Sequence, residues 1–405
     1  MIKASLNQVS SRMMIMLFNQ LAVIITIPWL AMQLSPEVFG LVSTSLIIIQ
    51  VGWVFIDWGL MNYATEIWQD SADKDTKNKL ITNLIASRLI LSALYLTLIF
   101  CLIALGVIFI PYSYYPPLAL TTIFGALFPL WFFHVNKNPK DLVGITLFSR
   151  MVFILLVLIF VKTDVQAPTY LYLHAVSFMV ITLFAFYKMI VKHSFIWLGF
   201  NFIHSINLIA QGIGFFLNSL TNSNVHVIWG FAVTITQEPI VIGIYNIAEQ
   251  GYRAGSAISN SVSQVSRLNT IGLGISQTLR LTVFYGITYA FAAMFGFLLA
   301  EPIIKIFFQP EYIASASVLK ILIGVWLIQS YIKLINYPLV GKLISVEKLH
   351  KMTPYILFLH LFMLGLWYIF FHDLYSLALT FFAVSLIHLS FFAIILKSAI
   401  NHKGQ

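Results

Sequence analysis

Apolar runs longer than about 18 residues, the length at which an α-helix crosses the hydrocarbon of a bilayer, recur from one end of the chain to the other. Short polar or turn-forming stretches separate them. The pattern predicts helices over 13–33, 38–62, 80–110, 117–135, 143–161, 170–190, 200–222, 238–268, 279–300, 314–337, 353–371 and 374–397. Val225 to Ile235 is also apolar, and either extends the seventh helix or stands apart from it. The expected fold class is an all-α polytopic membrane protein of about twelve transmembrane helices, in two six-helix lobes (1–195 and 196–405) around a central cavity.

Four of these helices carry polar faces. In the eighth, Asn246, Glu249, Arg253, Ser256, Asn260, Ser263 and Arg267 follow one another at alternating steps of three and four, which places all seven on one side. At 1.5 Å per residue that stripe runs roughly 30 Å, close to the hydrocarbon thickness. In the first helix Arg12, Asn19, Thr26 and Gln33 share a face, and in the seventh His204, Asn207, Gln211, Asn218 and Asn222 do so. Gln50 and Asp57 lie seven residues apart on the second. Lipid solvates no such face, so these residues are expected to meet one another or to line water. The alternative is that the smaller ones merely pair across helices as structural contacts.

A repeat is visible behind the pattern. Pro36-Glu37-Val38-Phe39-Gly40-Leu41 opens the second helix and Pro239-Ile240-Val241-Ile242-Gly243-Ile244 opens the eighth, at an offset of 203. The same offset relates Ser43, Gln50 and Asp57 to Asn246, Arg253 and Asn260. Two similar halves with polar helices in corresponding places are what parallel-repeat transporters present.

Composition sharpens this reading. Of 405 residues, 60% are hydrophobic and 9% charged, far below the quarter or so expected of a soluble domain. The net charge of +9 comes from lysines and arginines scattered between apolar segments, so no nucleic-acid surface is expected. Cations collect on alternate loops, among them Lys74, Lys77, Lys137, Lys192, Lys348 and Lys403, while Lys162 and Lys305 fall on the other side. By the positive-inside rule both termini are then cytoplasmic, in a membrane of bacterial inner-membrane type. The single cysteine, Cys101, excludes a disulfide framework. There is no P-loop, and no histidine spacing that would hold a metal, so neither ATP hydrolysis nor a cofactor is expected.

Charges within the spans are the chemical candidates. Arg253, with Glu249 one turn earlier, is either an anion-binding group or half of a structural ion pair. Asp57 is either a proton or sodium acceptor or a helix-end carboxylate. Arg88 and Arg150, each about seven residues into a helix that starts from the cytoplasm, either snorkel or form a basic cytoplasmic mouth with Arg12 and Arg267. Lys320 and Lys333 are expected to snorkel.

Three stretches resemble the O-antigen flippases (Wzx type) of the multidrug/oligosaccharidyl-lipid/polysaccharide exporter superfamily. They are Leu34-Ser35-Pro36-Glu37-Val38-Phe39-Gly40 with Asp57-Trp58-Gly59, then Leu127-Phe128-Pro129-Leu130-Trp131-Phe132-Phe133, and Gly243-Ile244-Tyr245-Asn246-Ile247-Ala248-Glu249. His134-Val135 departs from the family's Gln-Gly after the second stretch. The resemblance implies an undecaprenyl-pyrophosphate-linked oligosaccharide as cargo, moved to the periplasmic leaflet by alternating access. It also implies coupling to a proton or sodium gradient in some members, and partnership with an O-antigen polymerase and chain-length regulator besides membrane lipid. A drug/cation antiporter of the same superfamily is the first rival reading. An O-antigen polymerase or ligase is the second, disfavoured because no large extramembrane loop is present.

Overall fold

The computed structural model describes residues 2–70, 73–136, 138–269, 274–336 and 346–403, and every regular element among them is helical. The helices are α1 (Ile2–Gln33), α2 (Pro36–Asp57), α3 (Leu60–Asp70), α4 (Lys74–Ala104), α5 (Tyr115–Leu127), α6 (Leu130–Val135), α7 (Lys140–Phe160), α8 (Ala167–His193), α9 (Phe202–Asn222) and α10 (Val225–Thr236). They continue with α11 (Pro239–Asn269), α12 (Ile275–Phe307), α13 (Ala314–Ile335), α14 (Val346–Phe370) and α15 (Leu374–Lys403). Among the described residues ten spans are long and apolar enough to cross a membrane. Two expected spans, α9 and α11, fall outside that set because their polar faces dilute their apolar content.

Two expected helices are broken, each for a local reason. The second ends at Asp57, where Trp58 (φ 45°) and Gly59 (φ 68°) turn left-handed before α3 begins. A side chain at Gly59 would stand 2.5 Å from the Phe216 nitrogen, so glycine is needed both for the turn and for the approach to α9. The fourth is cut at Phe128-Pro129, since proline offers no amide to carry α5 onward. The apolar run after α9 forms a separate short helix, α10, beyond Ser223 and Asn224. Polar caps fix other starts. Asp73 accepts the Thr76 amide (3.0 Å) at α4, and Asn201 accepts the His204 amide (2.9 Å) at α9.

The chain divides into two compact units, Lys3–Gly243 and Ile244–Gln405. The first therefore takes in α9 and α10, which the sequence reading assigns to the second lobe. In it α5 packs on α8, α8 on α7, and α2 on α4, α5 and α10, while α9 lies along α4. Serine and asparagine join the last pair: Ser87 donates to the Ser205 carbonyl (3.0 Å) and the Asn201 amide donates to Asn83 Oδ1 (2.8 Å). In the second unit α13 is central, packed on α12 and α15, with α14 on α15. Gly251 and Gly255, one turn apart on α11, let Leu319 and Trp326 of α13 come close, where side chains would stand 2.4 and 2.7 Å from them.

Candidate functional site

The polar residues named from the sequence fall into separate networks within each unit. In the first unit Arg88 of α4 is almost fully buried. It donates to Asp57 Oδ1 (2.6 Å) at the end of α2 and to the Ala126 carbonyl (2.9 Å) in the last turn of α5. One guanidinium thus satisfies a carboxylate and a carbonyl left over by the Pro129 break. Asp57 keeps part of its side chain accessible, at 28%. Trp58, next along the chain, stacks on Phe216 (4.3 Å, 10°) and donates to the Ile209 carbonyl (2.9 Å), pinning the break to α9.

Arg150 of α7 lies in a different network. Its Nε donates to Asn19 Oδ1 of α1 (2.7 Å), Nη1 donates to Ser177 Oγ of α8 (3.1 Å), and the guanidinium sits over the Phe178 ring at 4.0 Å. The residue is 2% exposed, and Nη2 has no hydrogen-bond partner. Arg88 and Arg150 therefore neither snorkel nor share one basic cluster. Snorkelling fails because each guanidinium finds inward polar partners on neighbouring helices. The side chains of Arg12 and Arg267 lie outside the described residues.

In the second unit the α11 stripe is largely buried. Asn246 accepts from Gln250 (2.9 Å), Glu249 is fully buried with Oε2 unpartnered, and Arg253 lies within electrostatic reach of that carboxylate one turn on. Asn260 accepts a hydrogen bond of 2.8 Å from Lys333 Nζ of α13. Lys333 is a candidate residue the sequence reading misplaces: at 5% exposure it is buried in the bundle rather than snorkelling. A lone lysine in an apolar helix gives no directional signal, whereas its partner Asn260 was visible in the stripe. Lys320, also expected to snorkel, is partly exposed and pairs with Glu301 (3.1 Å), which Lys305 also binds (2.8 Å). Of the remaining candidates, Gln211 accepts from Tyr63, Asn218 accepts from Asn222 (2.8 Å), and Gln50 is half-buried on α2.

Each unit thus contains a buried cation, Arg150 or Lys333, held by the amide oxygen of a polar-stripe residue, Asn19 or Asn260. Among the described residues no carboxylate lies within ion-pair distance of either. A buried charge of this kind is costly unless paired, and the pairing here is with neutral groups.

Comparisons with known proteins bear on the family and the fold. Residues 5–267 match the family described as polysaccharide biosynthesis protein. Among curated proteins none matches. An inward-facing structure of a multidrug resistance MATE family transporter of the MOP superfamily is similar, with a TM-score of 0.65 at 13% identity over 94% of this chain and 96% of that one. An outward-facing structure of such a transporter gives 0.57 at 15% identity, over 98% and 96%. A point mutant of a Vibrio cholerae MATE transporter gives 0.55 at 13% identity, over 99% and 97%. The resemblance drawn from the three sequence stretches is met: the chain is a multi-span membrane protein that belongs to the polysaccharide biosynthesis protein family, and its fold is that of MATE transporters of the MOP superfamily.

Proposed function

We propose that the protein flips an undecaprenyl-pyrophosphate-linked oligosaccharide, an O-antigen repeat unit, from the cytoplasmic to the periplasmic leaflet of a bacterial inner membrane. The observation that supports this reading best is the pair of buried cations, Arg150 and Lys333, whose partners are neutral amides and hydroxyls. A pyrophosphate entering a low-dielectric region needs fixed cations that are not already neutralised. The distribution of loop charges supports a cytoplasmic location for both termini.

The rival reading, a drug/cation antiporter, draws support from the MATE-like fold. A cationic cargo would call for an unneutralised carboxylate. Asp57 is neutralised by Arg88, and Glu249 has Arg253 one turn away. Glu249, buried with an unpartnered oxygen, is the residue that reading would use.

The test is transport in proteoliposomes that hold the purified full chain. Movement of a fluorescent undecaprenyl-pyrophosphate oligosaccharide across the bilayer, without comparable ethidium movement, is the expected result. Ethidium transport alone would favour the antiporter.

A further inference from the structure

The second unit contains a trough of which the cargo chemistry above makes no use. α12 and α15 both pack on α13, which forms the floor between them. The cavity they enclose has a volume of about 700 Å³, within the range of small-ligand sites. Its body is apolar: Ile321 and Leu327 line it from α13, and Met294, Leu298 and Leu379 line it as exposed side chains of the flanking helices. Small residues keep it open. Ala290 and Ala293 line it from α12, and the Phe382 ring of α15 lies down on Gly324, where a side chain would stand 2.8 Å from it. From Lys320 to Leu327 on α13 the trough runs roughly 10 Å at 1.5 Å per residue.

The two ends of this trough differ. At one end Phe297, Leu298 and Lys320 continue into a smaller recess of about 310 Å³, completed by Glu301, Pro302 and Lys305. There Glu301 Oε1 lies 2.8 Å from Lys305 Nζ, and Oε2 lies 3.1 Å from Lys320 Nζ. The Lys320 ammonium also sits over the Phe297 ring, 5.6 Å from its centroid, so it marks where the apolar wall gives way to the polar recess. One carboxylate faces two ammonium groups, which leaves the cluster with a net positive charge, and both lysines keep accessible surface. α15 runs parallel to α13, as the Gln329–Ser385 hydrogen bond and the seat of Phe382 on Gly324 show. That register brings Tyr375, exposed in the first turn of α15, level with Ser317 and Lys320. Hydroxyls therefore join the cations at this end.

An apolar trough with cations and hydroxyls at one end has the polarity of a lipid lying along the helices. Lysines near the ends of membrane spans hold their ammonium groups at headgroup level, where they attract anionic lipid. Charge then selects among the amphiphiles. The single positive charge left over at Glu301, Lys305 and Lys320 matches one phosphodiester. A zwitterionic headgroup would leave that charge uncompensated, and a pyrophosphate carries more negative charge than the cluster neutralises.

We propose that this trough is a binding site for an anionic phospholipid of the phosphatidylglycerol class. Its phosphodiester sits at Lys305 and Lys320, and an acyl chain lies along Leu298, Ile321 and Leu327. The proposal does not rest on the identity of the cargo.

The test counts lipids held by the full chain in detergent, using native mass spectrometry. Phosphatidylglycerol or phosphatidylcholine with the same two oleoyl chains is added to the purified protein. Wild type is expected to retain phosphatidylglycerol roughly tenfold better, the weight of one charge-assisted hydrogen bond. Lys305→Gln/Lys320→Gln should lose that preference. Glu301→Gln, which frees both lysines from their carboxylate, should strengthen it. Ala290→Trp, which fills the trough and leaves the cations in place, should weaken retention of phosphatidylglycerol. Equal retention of the two lipids by wild type, or a preference unchanged in the lysine double variant, overturns the site. If the double variant does not fold, Glu301→Gln decides the matter, and retention that is unchanged or weaker refutes the proposal. Displacement of bound phosphatidylglycerol by an equal amount of undecaprenyl pyrophosphate would assign the trough to a pyrophosphate lipid and would also overturn it.

Discussion

Gly40 and Gly243, 203 residues apart in the chain, meet where the first turns of α2 and α11 cross. A side chain built at Gly243 would lie 3.6 Å from the Gly40 Cα and 3.0 Å from the Phe39 ring, and one at Gly40 would lie 1.9 Å from the Pro239 carbonyl oxygen. The two copies of the Pro-x-x-x-Gly repeat thus pack against each other. The glycines recur at the same place because neither backbone could approach the other with a Cβ present.

Gly40→Ala should therefore destabilise the protein by about 1–3 kcal/mol, the usual cost of overpacking, because the obstacle is backbone and cannot rotate away. Gly243→Ala should cost less, since its nearest neighbour is the Phe39 ring. Gly144→Ala on α7, where nothing lies within 4 Å, should be neutral. Thermal unfolding of the three purified variants in detergent measures the order.

Breaking the Arg88–Asp57 pair by Arg88→Ala strands Asp57 and the Ala126 carbonyl. The expected loss lies near the lower end of about 3–5 kcal/mol, because Asp57 is partly accessible to water. Asp57→Asn should recover part of it in the double variant. A double-mutant cycle on thermal stability reads the coupling, and additive losses would mean that the pair contributes nothing.

Asp73 lies outside the spans and titrates. Its hydrogen bond from Thr76 at the start of α4 lowers its carboxyl below the ordinary value of 3.8. A lowered carboxylate pKa stabilises the folded form above the ordinary value, and that contribution is lost as the pH falls through the lower folded value. Amide protection of the first turn of α4 should then decline on acidification below about pH 4, and Asp73→Ala should remove that pH dependence. Hydrogen exchange resolved to residues 74–77 measures it.

Much of this was legible in the sequence because periodicity reports what a helix must bury. The alternation from Asn246 to Ser263 located the polar face of α11, and the 203-residue repeat located the crossing glycines. Breaks were less visible. Trp58-Gly59 and Phe128-Pro129 lie inside apolar runs that read as continuous, and only the docking of Trp58 on α9 or the missing Pro129 amide stops the helix. Lone charges were least visible. Lys333 in an apolar helix reads as a snorkelling cation, and its direction depends on Asn260, 73 residues away. The contact between the His360 and His388 rings was hidden for the same reason, since they lie 28 residues apart on two successive helices.

If Arg150 and Lys333 are kept for cargo rather than for folding, apolar replacements should not unfold the protein. Removing a buried charge that has no counter-ion relieves its desolvation cost, which offsets the loss of its hydrogen bonds to neutral partners. Arg150→Met and Lys333→Met should therefore melt at or above the wild-type temperature. A strongly lowered melting temperature in both would mark them as structural.

The central claim is that each of these cations, within its own unit, serves recognition of a pyrophosphate lipid, and the transport rate of the same two variants tests it most directly. In proteoliposomes of matched protein content, movement of the fluorescent undecaprenyl-pyrophosphate oligosaccharide should fall roughly 10- to 100-fold for Arg150→Met or Lys333→Met. That range corresponds to losing one or two charge-assisted hydrogen bonds. Lys333→Arg should restore part of the rate. Wild-type rates in both methionine variants would contradict the account.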